Sequence, residues 1–128
     1  MTLPDNAAIR AMSGPALTHL ALDLDLQPDD YECIRRHTAG GWHPNRNLTQ
    51  AREIFLDRLR SLGMITTYTA GHCRIHFAVY TRGEAKRFED NISTSAGRFD
   101  TTVLAVALLR CACLAAASVQ RKEGHELE

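Results

Sequence analysis

The chain has 128 residues, of which 45% are hydrophobic and 23% charged, and its formal net charge is zero. This length and composition fit one globular domain that buries its own core without staples, and they argue against a strongly basic nucleic-acid binder. The four cysteines show no disulfide-framework spacing and the first residues show no secretory signal, so we expect a reduced, cytoplasmic protein.

Charge is unevenly distributed along the chain. Residues 1–30 carry one Arg against five Asp, whereas residues 31–87 carry ten Arg or Lys against four acids. Residues 88–128 carry four basic residues against six acids. The middle of the chain is therefore the part suited to an anionic partner, although solvated helix faces would explain the same arginines.

Residues 1–27 form an N-terminal segment. A short helix is predicted over residues 4–12, with Ile9 and Met12 as its apolar contacts. The leucines that follow fit both a half-buried strand and a helix, and the helix preference of leucine favours a helix over residues 15–24. An extended arm that pairs with another chain is the alternative.

A second helix is predicted to begin at Pro28, because proline followed by two acids is typical of a first helical turn. It runs to about residue 38 and ends at the glycine pair that follows. A single turn around residues 44–46 then precedes the next helix.

The next helix begins after Asn47, which is the predicted N-cap, with Gln50 as its reciprocal partner three residues on. Gly63 ends this helix. Its predicted apolar stripe contains Leu48, Ala51, Phe55, Leu59 and Leu62.

The period of the pattern changes from 3.6 to 2 after this helix, which predicts a hairpin of residues 64–69 and 73–79 with a turn at Ala70-Gly71. The predicted inward side chains are Cys73, Ile75, Phe77 and Val79, and the outward ones are Arg74, His76, Ala78 and Tyr80. Thr81-x-x-Glu84 then reads as a capping box that opens another helix, with Ala85, Phe88 and Ile92 as its buried stripe.

The segment "LDRLRSLGMI", a hairpin, and then "HFAVYTRGEAKRF" are similar to the second half of a winged helix-turn-helix domain. The closest likeness is to small bacterial regulators of the MarR or PadR type, over residues 29–92. In that superfamily a two-stranded wing follows the recognition helix, and a Leu-Thr-x-x-Gly step, here Tyr80-Thr81-Arg82-Gly83, leads into the next helix. The resemblance implies an α+β fold with a winged-helix core over residues 28–92, and duplex DNA binding by a transcriptional regulator.

A recognition helix reads base edges from its N-terminal half, and a hairpin tip suits the backbone or the minor groove. The predicted DNA-binding residues are accordingly Arg46, Asn47, Thr49, Gln50, Arg52, His72 and Arg74. Glu53 and Asp57 lie on the same helix face and would repel phosphates. They favour the rival hypothesis, a protein-interaction or inhibitor module of phage or plasmid type with a winged-helix-like fold and no DNA partner.

A linker over residues 93–98 separates this core from a last helix over 99–120, capped at Asp100 or Thr101 and followed by a frayed tail, 121–128. The helix is apolar nearly all round, with Arg110 as its one charge up to Val119, and is too short and interrupted to span a membrane comfortably. A homodimer is therefore predicted. The alternative is a helix enclosed by its own chain, in which Arg110 would need a carboxylate or carbonyl partner. The predicted dimer-interface residues are Leu104, Leu108, Cys111, Ala112 and Ala115.

Other chemistry finds little support in the sequence. Cys33 and His37 lie one helical turn apart, but no paired zinc-ligand pattern exists. Cys73 or the Cys111–Cys113 pair could sense redox state only with lowered thiol pKa values. No phosphate loop, zinc-protease motif or nucleophile elbow is present, so we expect no enzyme activity, no metal and no cofactor.

Overall fold

The computed structural model describes residues 3–27, 41–81, 86–94 and 99–127, and only the helical backbone of 122–127. The elements in chain order are α1 (Asn6–Ala11), α2 (Pro15–Asp23), α3, β1 (Ile65–Ala70), β2 (Arg74–Tyr80), β3 (Arg87–Ser93) and α4 (Thr101–Leu127). Helix α3 is a continuous segment made of Leu48–Glu53, a π-helical part Ile54–Arg58, and Leu59–Ser61. The mixture of helices with one antiparallel sheet confirms the predicted α+β content.

Helices α1 and α2 confirm the helical interpretation of the N-terminal segment. Asp5 caps α1 by accepting a 2.8 Å hydrogen bond from the Ala8 amide, and Ile9 is fully buried. Gly14, with φ of 65°, precedes Pro15 at the first position of α2. The segment forms a helix and not a strand, because helical spacing brings Leu17, Leu20 and Leu24 all to the core. The helix predicted from Pro28 to about residue 38 lies outside the described residues.

Helix α3 buries Ala51, Phe55 and Leu59 as predicted, and Ile54 joins them with no exposed surface. Leu62, however, is 43% exposed, so its predicted place in the apolar stripe is wrong. The cause is the π-helical part, in which the Leu59 amide bonds the Ile54 carbonyl five residues back. An extra residue in one turn shifts the phase of all later helical residues, so the last turn presents a different side to the core. Gly63, at φ 90°, then ends the helix as predicted.

The hairpin forms as predicted, but its turn lies two residues later than predicted. Gly71 donates a 2.7 Å hydrogen bond to the Arg74 carbonyl, so His72 and Cys73 are the two loop residues in place of Ala70-Gly71. Cys73 is consequently exposed instead of inward. The remaining predicted inward residues of β2, Ile75, Phe77 and Val79, are buried, and the predicted outward Ala78 is fully buried too. Phe77 meets Phe55 of α3 edge to face, with ring centroids 5.6 Å apart.

The helix predicted after Thr81 is wrong for residues 87–93, which form the third strand, β3. This strand pairs antiparallel with β2, and the order in the sheet is β1-β2-β3. Phe88 and Ile92 still point to the core, opposite Val79 and Ile75. Four-residue spacing fits one face of a helix and one face of a strand equally, and the free edge of β2 decides in favour of pairing. The ribbon is thus a three-stranded sheet, not a two-stranded wing.

Helix α4 is the centre of the core and contacts α1, α2, α3, β2 and β3. Its five predicted dimer-interface residues are 0–4% exposed within the single chain: Leu104, Leu108, Cys111, Ala112 and Ala115. Assigning them to a dimer interface is therefore wrong, because the chain's own elements cover them. The prediction assumed that so small a chain covers only one or two sides of a helix.

Arg110 and Arg121 attach α4 to the N-terminal segment. The Arg110 Nε donates a 2.7 Å hydrogen bond to the Met12 carbonyl, the kind of partner its burial was predicted to require. Arg121 donates to the side chain of Asn6 at 2.7 Å and to the carbonyl of Pro4. The helix continues to Leu127, seven residues beyond the end predicted at residue 120. Asp100 accepts from the Thr102 amide at 2.9 Å, which confirms the predicted cap.

By length and composition alone, Thr101–Arg121 could cross a membrane, with a mean hydropathy of 2.1, so the expectation that this helix is too short to do so is wrong. Of its apolar window, 67% is buried inside the chain. A core helix of a soluble protein has the same combination of length, apolarity and enclosure.

Candidate functional site

The loop before α3 is fixed in place by buried polar contacts. Trp42 is 4% exposed, and Asn45 accepts a 2.7 Å hydrogen bond from the Thr18 hydroxyl of α2. A turn at residues 44–46 leads into the helix, as predicted, with the amides of Arg46 and Asn47 both donating to the His43 carbonyl. The beginning of α3 therefore has a defined position on the domain, and its exposed residues are held in a fixed arrangement.

Two predicted DNA-reading residues have structural roles instead. Asn47 is the N-cap, as predicted, and its Oδ1 accepts a 3.0 Å hydrogen bond from the Gln50 amide. Gln50 is only 7% exposed, and its Oε1 accepts from the His43 amide at 2.6 Å. Placing Gln50 on the outward face is thus wrong, and it cannot reach a base. It holds the loop, because it caps a backbone amide that the turn leaves without a helical partner.

A shallow depression of about 220 Å³ lies on the exposed side of α3. We call its lining the α3 face: Thr49, Arg52, Glu53, Leu56 and Asp57. Thr49, Arg52 and Asp57 are exposed, while Glu53 and Leu56 are half-buried. One basic and two acidic side chains thus surround one apolar side chain.

The α3 face adjoins strand β1. The Arg52 guanidinium lies 5.4 Å from the centre of the Tyr68 ring, a distance at which a cation is attracted to the ring face. Leu56 and Tyr68 are both half-buried against the core. Sequence reasoning assigned neither of them to a site, and the only available signal was that Leu56 falls beside the two acids on the polar side of the helix.

Several arginines of the basic middle segment are engaged inside the domain. Arg58 bonds the carbonyl and carboxylate of Asp25 at 3.1 and 3.2 Å. Arg60 donates to the hydroxyl and carbonyl of Thr66 at 2.7 and 3.2 Å. Because these arginines form hydrogen bonds within the domain, fewer of the positive charges of residues 31–87 are available to bind an anionic ligand.

The hairpin places His72 at an exposed turn, as predicted, and Arg74 at the start of β2. Arg74 donates a 2.6 Å hydrogen bond to Asn91 of β3 across the outer face of the sheet. That bond restrains the guanidinium along the sheet instead of leaving it extended from the hairpin tip.

The outer face of the sheet also carries a charged cluster around Glu89. Its carboxylate contacts His76 at 2.8 Å and Arg87 at 2.6 Å. The hydrogen bond from His76, followed by the charge of Arg87, lowers the pKa of Glu89 below its ordinary 4.5. Arg87 also lies 5.5 Å from the Tyr80 ring. These opposite charges satisfy one another and give the outer face no single sign.

The thiols of α4 are unsuited to redox sensing. Burial raises the pKa of Cys111 to about 12 and raises that of Cys113 still further above its ordinary value. Because the thiolate is the reactive form, both groups stay protonated at neutral pH, and the redox role considered for this pair is contradicted. Among the described residues no group of three or more His, Cys, Asp or Glu could hold a metal ion, while Cys33 and His37 lie outside them.

Comparison of the chain with protein-family models, curated proteins and solved structures finds no match. The winged-helix resemblance therefore stays a prediction. The chain has a helix and a hairpin over residues 48–80, and a third strand follows them.

Proposed function

We propose that this chain is a protein-interaction module that binds a protein partner through the α3 face and the adjoining edge of β1. The observation that carries the proposal is the composition of that face. Half-buried Leu56 lies among side chains of both charge signs, beside the amphipathic ring of Tyr68. An apolar centre with a polar rim and few net charges is typical of a protein interface.

The same composition weighs against duplex DNA as the main partner. A phosphate backbone is held by concentrated positive charge, and Glu53 and Asp57 would repel it. Gln50, one of the residues predicted to read base edges, is buried and holds the loop. Arg58 and Arg60 are engaged with other parts of the domain.

DNA binding is kept as the second candidate because Arg46, Thr49 and Arg52 are exposed at the beginning of α3. A shift assay with mixed duplex DNA at low salt, where phosphate contacts are strongest, separates the two functions. The proposal expects no binding. Binding at low salt that is lost when Arg46 and Arg52 are replaced by Ala would establish the DNA candidate in its place.

We place the module in the reducing cytoplasm, with α4 as its core helix, and expect no catalysis. Free, buried thiols at Cys111 and Cys113 are compatible with that compartment.

Site-specific photo-crosslinking in cells tests the proposal directly. A benzoylphenylalanine at Thr49, exposed on the α3 face, is compared with one at Ala7, exposed on α1. We expect a protein adduct from position 49 and none of the same mass from position 7. The adduct should weaken when Asp57→Arg reverses one charge of the face. Absence of any protein adduct specific to position 49 would contradict the proposal.

A further inference from the structure

We propose that the partner bound at this surface is a second copy of this chain, which pairs through antiparallel contact between the two β1 strands. The inference rests on the proposed function and names the occupant of its site. It uses a different surface from the α4 residues, which are enclosed in the core.

The two edges of the sheet are unlike. Among the described residues β1 pairs with β2 alone, through six consecutive residue pairs with no bulge. Its sequence, Ile-Thr-Thr-Tyr-Thr-Ala, contains no charge and no proline. The opposite edge, β3, carries Arg87, Glu89 and Asp90. Charges, bulges and prolines are the devices that keep an edge strand from pairing, and β1 has none of them.

The hairpin geometry identifies which backbone groups of β1 point away from the sheet. The bond from the Gly71 amide to the Arg74 carbonyl closes the hairpin, so the alternate residues Thr69, Thr67 and Ile65 bond to β2. The N–H and C=O groups of Thr66, Tyr68 and Ala70 therefore point to the free side. Arg60 already donates to the Thr66 carbonyl at 3.2 Å, in agreement with that direction. The outward N–H and C=O groups of Tyr68 and Ala70 are spaced to bond an extended backbone.

Pairing of β1 with its own copy can satisfy the outward backbone groups of Tyr68 and Ala70 together. A twofold axis at Thr69 places Tyr68 opposite Ala70 of the other copy, and each such pair exchanges two backbone hydrogen bonds. The large ring then faces a small side chain. When β1 pairs with its own copy, no charged side chain of the strands faces another, whereas β3 paired with its own copy would place several charged side chains in contact.

The α3 face supports the same arrangement. Arg52 lies over Tyr68, so the face borders the free edge and two copies of it would approach across the axis. A surface with Arg52, Glu53 and Asp57 carries both signs and can oppose unlike charges when it meets itself. A surface of one sign would repel its copy.

Charge substitution at the axis tests the register. Thr69 is exposed on the outer side of β1, and in the pair it would face its own copy at about 4.5 Å between Cα atoms. Sedimentation of the full chain over the micromolar range should show a dimer. Thr69→Lys and Thr69→Glu should each weaken it by about tenfold or more, since like charges then oppose each other. An equimolar mixture of the two variants should restore the dimer.

Ser93→Lys, at an exposed position of the other edge strand, is the matched control and should leave the dimer unchanged. Ala70→Pro removes an outward amide that β2 does not use, and is the second variant should Thr69→Lys misfold by circular dichroism. A monomeric wild-type chain, a dimer indifferent to Thr69→Lys, or a mixture that stays monomeric would each overturn the inference. A monomer that still gives a crosslinked adduct with another protein at position 49 overturns only the second-copy inference. A monomer with no adduct overturns the proposed function as well.

Discussion

Helix α4 and strand β1 both have surfaces suited to contact with protein: apolar side chains in the helix, and the hydrogen-bonding groups of a sheet edge in the strand. The helix is apolar nearly all round, and five other elements enclose it so completely that Leu108 has no exposed surface. The strand is short and uncharged, and among the described residues its outer edge is left without a neighbouring strand. Apolarity alone therefore does not identify the surface through which a small chain meets a partner, because the most apolar element is the one it covers first.

The largest expected effect concerns the enclosed helix. Leu108→Ala should lower the free energy of unfolding by about 2–5 kcal/mol, because it leaves a cavity in a fully packed region. Val103→Ala, in the same helix but 50% exposed, is the matched control and should change stability little. Urea denaturation measures both. If Leu108→Ala changed sedimentation while stability stayed the same, α4 would face a partner and the contrast with β1 would be broken.

A smaller effect distinguishes the two sides of α3. Gln50→Ala removes the acceptor of the His43 amide and should cost about 1–3 kcal/mol, since a partly buried donor is left unpaired. Thr49→Ala, one residue away and exposed, should lie within about 0.5 kcal/mol of the wild type. Equal stability of the two variants in thermal or urea unfolding would indicate that Gln50 is exposed to solvent, as the sequence predicted.

The cap of α3 contributes less again. Asn47→Ala should destabilise the chain by about 1 kcal/mol through loss of the bond to the Gln50 amide. Asn47→Asp keeps an acceptor at the same place and adds a negative charge at the positive end of the helix, so its stability should equal or exceed that of the wild type. Loss of stability in both variants would mean that Asn47 acts through another contact.

The smallest expected effect lies on the outer face of the sheet. The pKa of Glu89 is lowered, so its ionised form stabilises the fold above the ordinary value of 4.5, and that contribution disappears as the pH falls through the lowered pKa. The difference in unfolding free energy between the wild type and Glu89→Gln should therefore be small, favour the wild type near neutral pH, and vanish in acid. A difference that grew on acidification would have the wrong sign for this cluster.

Local signals in the sequence were sufficient where a single interaction decides the structure. The Asn47 cap, the stop at Gly63, the Asp100 cap and a carbonyl partner for Arg110 could all be predicted from residue type and spacing. The apolar faces of α3 and β2 followed from their periods. Each of these predictions depends on atoms within a few residues, or on a cost that any burial of charge imposes.

The errors arise where distant parts of the chain compete. Phe88 and Ile92 fit a helix until the edge of β2 is available to pair with them. Gln50 is polar, yet the loop that returns at His43 buries it. The enclosure of α4 depends in part on α1 and α2, whose packing no local pattern reveals. The position of the α3 face beside strand β1 could not be predicted, because it depends on the contact between Arg52 of the helix and Tyr68 of the strand.

The π-helical part of α3 has a consequence for chain length. Between Ile54 and Leu59, both fully buried, the helix holds one residue more than a regular turn needs. Deleting exposed Asp57 would bring the two anchors to the spacing of an ordinary α-helix and leave both in the core. The same deletion within Leu48–Glu53 would rotate Ile54 and Leu59 by about 100° relative to the residues before it. We therefore expect a one-residue deletion to be tolerated between Ile54 and Leu59 and to be disruptive in the α-helical turn before them.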